Sequence, residues 1–120
     1  MTPFHFDAET PSPTNAQHVI VPAGIETKSE LLAFLQRALA LPDYFGGNWD
    51  ALEECLTDPD WLEDKALVLA HQDIPLEKTP AEQRTYLLIL ASIAMETDGE
   101  LDIHFPEACR SRVTQLITGP

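Results

Sequence analysis

Apolar residues along this chain follow two different periods, and the switch between them predicts its elements. His18 to Val21 (HVIV) reads as a strand, stopped by Pro22 and Gly24. Thr27 then has the place of an N-cap, with Glu30 completing a capping box. Leu31, Leu32, Phe34, Leu35, Ala38 and Leu39 recur at helical spacing until Pro42. A second helix is predicted from Asn48, with Ala51, Leu52, Cys55 and Leu56 on one face, and Asp58-Pro59-Asp60 breaks it. Ala66 to Ala70 (ALVLA) is a continuous apolar run, as expected of a strand covered on both faces. Thr79 and Pro80 open a third helix, with Glu82 at the capping-box position. Tyr86, Leu87, Leu90, Ile93 and Ala94 run along that helix, and Gly99 closes it. Leu101 to Phe105 (LDIHF) alternates as a strand, and Pro106 to Ile117 has the pattern of a short tail helix.

Strands separated by helices favour a parallel sheet with right-handed crossovers. The expected fold is α/β, a three-stranded parallel sheet with helices packed around it. Residues 1–16, rich in Pro, Thr and Ser, are expected to form a loose arm, although Phe4 and Phe6 alternate with His5 as a short strand would. Residues 17–105 form the domain, and residues 106–120 a tail with helical pattern.

Size and composition agree with one domain: 120 residues, 44% hydrophobic, enough to bury a core without staples. Charge changes the picture more. Seven Lys and Arg face twenty Asp and Glu, a formal net charge of −13. Such a field repels phosphate backbones, so nucleic acid is not an expected partner. It either favours a cationic protein or merely keeps the chain soluble. The two cysteines, Cys55 and Cys109, fit no metal-ligand spacing and read as reduced thiols. The N-terminus has no basic start followed by an apolar run, and no stretch approaches the roughly 20 apolar residues of a membrane span. The expectation is a cytoplasmic protein with no membrane partner, monomeric when free.

Catalytic patterns are sparse. Neither GxxxxGK[ST] nor GxGxxG occurs, and the histidines His5, His18, His71 and His104 form no HExxH. No cofactor or metal is implied, and the expectation is that the chain is not an enzyme.

The informative stretch is Leu41 to Leu56, LPDYFGGNWDALEECL. Asp50 and Glu54, at i and i+4, share one helix face, whereas Glu53 points about 100° from Glu54. Like charges so spaced cost a helix a few tenths of a kcal/mol, about 0.2–0.5, partly offset for Asp50 by the helix dipole. The face is either simply solvated or displayed to something positive. Tyr44, Phe45 and Trp49 are more aromatic surface than a helix start needs: Phe45 or Trp49 is expected to pack inward, and Tyr44 suits an exposed anchor. Gly46 and Gly47 allow close approach, and Asn48 suits an N-cap or a contact.

That stretch closely resembles the signature of the barstar family, small acidic cytoplasmic inhibitors of secreted ribonucleases of the barnase type. The resemblance extends over roughly Gln17 to Phe105 and implies a barstar-like fold, with the signature on the loop and second helix. It implies that Tyr44, Gly46 and Asn48 contact the nuclease around its active-site mouth and that Asp50 meets basic residues there. Glu54 falls where the family usually has the aspartate that takes the place of a substrate phosphate, and Glu53 where a tryptophan is common. Trp49 and, from the next-to-last helix, Glu96 and Asp98 are further candidates. The implied function is an intracellular inhibitor, in a one-to-one complex with an extracellular-type ribonuclease, occluding its active site as an immunity protein or antitoxin would. The alternative is an immunity or regulatory binding module for a basic partner that is not a ribonuclease.

Overall fold

The computed structural model describes residues 4–6, 16–41, 48–57, 66–96 and 101–118. Strand β1 (Phe4–Phe6) is followed by β2 (Ala16–Val21), helices α1 (Lys28–Ala38) and α2 (Trp49–Leu56), and β3 (Ala66–His71). Helix α3 (Pro80–Glu96), strand β4 (Leu101–Phe105), a 3-10 turn (Glu107–Cys109) and helix α4 (Arg110–Thr118) complete the order. The strands form one sheet in the order β1-β4-β3-β2, with every pairing parallel. The fold is α/β with a parallel sheet among helices, as the pattern predicts, but with four strands rather than three. The added strand lies in the segment expected to be a loose arm. Phe4 pairs with Ile103 and Phe6 with Phe105, and Phe4 is buried edge-on against Phe105, ring centres 5.4 Å apart.

The register explains the alternation. Phe4, Ile103, Leu69 and Val19 lie in one row across the sheet and all are buried. His18 and Ile20, between the inward positions of β2, are exposed, whereas Leu67, Val68 and Leu69 of β3 are buried in succession. Edge strand and inner strand thus show the two patterns expected of them. Against the sheet, α1 buries Leu31, Leu32 and Leu35, α2 buries Leu52, Cys55 and Leu56, and α3 buries Tyr86, Leu87, Leu90 and Ile93. Each such side chain contributes about 1.5–3 kcal/mol by leaving water. Helix α3 packs on α2, α4 and β4, so it is the element through which the second helix is held.

Local signals are used as read at α1: Thr27 Oγ1 accepts from the Glu30 N–H and donates to its carboxylate, both at 3.1 Å. The helix stops before Pro42. Ala40 takes the left-handed conformation (φ 51°), and the Leu41 N–H closes back on Gln36 O at 3.0 Å. No helix among the described residues is long and apolar enough to cross a membrane.

Candidate functional site

Helix α2 is built from its first residue upward. Asn48 is extended, and its side-chain oxygen accepts from the Ala51 N–H at 2.8 Å, closing the helix N-terminus. Of the two roles open to Asn48, the capping one is therefore occupied. At the far end Thr57 Oγ1 donates to Glu53 O at 2.8 Å. Leu52, Cys55 and Leu56 face the core, which turns Asp50 and Glu54 to the opposite side, where both are exposed. Among the described residues neither carboxylate has a hydrogen bond or ion pair, and Asp50 lies in the first turn, where the dipole favours it.

Trp49 and Glu53, one turn apart, face sideways onto α3. Trp49 is half-buried, with its ring tilted on Tyr86 at 5.9 Å and its indole N–H donating to Glu82 Oε2 at 2.7 Å. Of the two aromatics expected to turn inward, it is Trp49 that does so among the described residues. Glu53 is also half-buried, and its Oε2 accepts from Ser92 Oγ at 3.3 Å. The three acids of α2 thus separate into two displayed carboxylates and one tied to the neighbouring helix. Glu96 is exposed at the end of α3. Tyr44, Gly46 and Asp98, with Phe45 and Gly47, lie outside the described residues.

Sequence reasoning missed the groups on α3. Glu82 sits where a capping box would use it, yet its carboxylate reaches across to Trp49, 33 positions away. Ser92 carries no local signal at all.

Elsewhere, a cleft of about 220 Å³ is lined by Asp73, Glu77, Gln83, Cys109 and Arg112, and no residue of α2 reaches it. The Cys109 thiol there is pushed up by burial and by the Asp73 carboxylate, which keeps it protonated and a poor nucleophile. What α2 offers is instead a helix face with exposed negative charge.

Compared with known protein families, residues 15–105 match the family model described as barstar (barnase inhibitor). The chain belongs to the barstar family. That match takes in β2 through β4 and therefore the whole of α2. Barstar-family proteins are inhibitors rather than enzymes, and their partners are barnase-type ribonucleases, so the class of partner is a protein. A search of curated proteins returned no match. Strand β1 and helix α4 lie outside the barstar match, although β1 completes the barstar sheet at one edge.

Proposed function

We propose that this protein inhibits a barnase-type ribonuclease by laying α2 across its active site, with Asp50 and Glu54 taking the place of substrate phosphates. The observation that carries this reading is the pair of exposed carboxylates on one face of α2, without a partner among the described residues, in a chain of the barstar family. A nuclease active site holds Arg, Lys and His arranged for an anion, and a carboxylate satisfies that arrangement by charge-assisted hydrogen bonds. Tyr44, Gly46 and Asn48 border the contact, and Glu96 and Asp98 extend its acidic rim. The complex is one-to-one, the free protein is a monomer, and the working site is the cytoplasm of a cell that makes or meets the nuclease.

The test is titration of a purified barnase-type ribonuclease with the full chain and with single variants. In the barnase–barstar pair itself, close charge pairs are coupled by about 1.5–7 kcal/mol, so Glu54→Ala is expected to weaken inhibition by at least about tenfold. Glu77→Ala removes an equally exposed charge away from α2 and is expected to change it little. Equal losses from the two variants would refute the reading.

A second reading is favoured by Glu53, an acid tied to Ser92 at a position where a tryptophan is common in the family. With that aromatic replaced, the same face would suit a basic partner other than a ribonuclease. A tight one-to-one complex with such a protein, and none with the nuclease, would establish it.

A further inference from the structure

Trp49 is held from three directions. Its N–H bonds Glu82 at 2.7 Å, the Lys28 ammonium lies 5.4 Å above the ring, and the ring leans on Tyr86. One turn later Glu53 accepts from Ser92, so two polar side chains of α3 grip the same side of α2.

An eight-residue helix is marginal on its own and takes its direction from its contacts. The buried side chains of α2 begin at Leu52, and the first turn is held by the Asn48 cap and by Trp49 and Ala51, which pack half-buried against the core. Asp50 projects from that turn. The indole–carboxylate bond is charge-assisted and partly shielded from water, and a rotated indole would leave both groups desolvated and unpaired.

We propose that Glu82 is a positioning residue for the docking face. By holding the Trp49 indole it sets the first turn of α2, and so the direction in which Asp50 and Glu54 point. The inference rests on the reading of α2 as the docking surface and adds to it a residue on another helix that never meets the partner.

The experiment is a double-mutant cycle on the full chain, comparing wild type, Glu82→Leu, Glu82→Gln, Trp49→Phe and the Trp49→Phe/Glu82→Leu pair. The readout is the rate at which each dissociates from a barnase-type ribonuclease. Loss of preorganisation is expected to speed dissociation of Glu82→Leu about tenfold. Glu82→Gln still offers an acceptor oxygen and is expected to stay within about threefold of wild type. With the N–H already removed in Trp49→Phe, Glu82→Leu is expected to add no further loss. Unchanged dissociation of Glu82→Leu, equal losses from Gln and Leu, or additive losses in the pair would each overturn the proposal.

Should wild type not bind the nuclease at all, the docking-surface reading falls, and the positioning role is decided on the free protein. There, amide hydrogen exchange in the first turn of α2 is expected to be about tenfold faster in Glu82→Leu than in wild type or Glu82→Gln. Equal exchange in all three would overturn it.

Discussion

The hydroxyl of Tyr86 donates to His71 Nε2 across 2.7 Å inside the core, because the other ring nitrogen is already engaged. Nδ1 lies 3.0 Å from the backbone carbonyl of His104, which can only accept, so the proton of a neutral imidazole sits on Nδ1. The ring also stacks on Phe105 with centroids 4.1 Å apart. With His71 uncharged, both nitrogens are thus satisfied.

Burial lowers the His71 pKa from 6.5 to about 4, against the raising effect of its bond to the His104 carbonyl. The unfolded chain therefore binds a proton that the folded chain refuses. Stability attributable to His71 is complete above pH 6.5, declines as pH falls through that value, and levels off below about 4. Between pH 8 and pH 5 the loss is expected to be about 2 kcal/mol. Urea unfolding at the two pH values checks it, with His71→Gln expected to flatten the slope.

Tyr86→Phe removes the donor to His71 without opening a cavity, and leaves a buried ring nitrogen unpaired. The expected cost is about 1–3 kcal/mol, read as a lower urea midpoint with an unchanged slope.

Asn48→Ala removes the oxygen that closes α2 and is expected to cost about 1 kcal/mol, whereas Asn48→Asp keeps an acceptor and gains a dipole interaction. Thermal unfolding of the free protein measures both. Similar melting of wild type and Asn48→Ala would mean that the cap contributes nothing.

Phe4 is buried although it lies in the segment that resembles an unstructured arm. Phe4→Ala is expected to destabilise the fold by about 3 kcal/mol, in the range for a buried aromatic. If β1 were dispensable, removal of residues 1–15 would leave the melting temperature unchanged.

Ala40 holds a left-handed backbone (φ 51°) at the end of α1. Glycine enters that region without the steric cost to its Cβ, so Ala40→Gly is expected to stabilise the protein by about 0.5–1 kcal/mol. Denaturant titration gives the sign directly.

Much of this fold was legible along the chain, because periodicity is a local property. The two-residue rhythm of HVIV and LDIHF, the apolar run ALVLA and the helical spacing of Leu31, Leu32 and Leu35 each report a face that must be buried. Thr27 with Glu30 and Asn48 before Trp49 declare helix starts, since the first N–H groups of a helix need acceptors close by. The displayed face of α2 was legible too, because Asp50 and Glu54 lie opposite Leu52, Cys55 and Leu56 on any helical projection.

What stayed hidden depends on contacts between residues far apart. The FHF segment alternates as a short strand would, but three residues are too few to set it apart from the arm around it; it becomes a strand where the edge of β4 offers Ile103 and Phe105 as partners. Glu82 looked like a cap because local spacing cannot show that Trp49 arrives beside it with an unpaired N–H. His71 gave no sign of its two bonds, since His104 and Tyr86 come to it through sheet register and helix packing. Which faces are apolar and which carry charge is written along the chain; which polar groups meet is set by the folded arrangement, because a hydrogen bond needs its partner within about 3 Å and a pattern along one chain measures no distance across the fold.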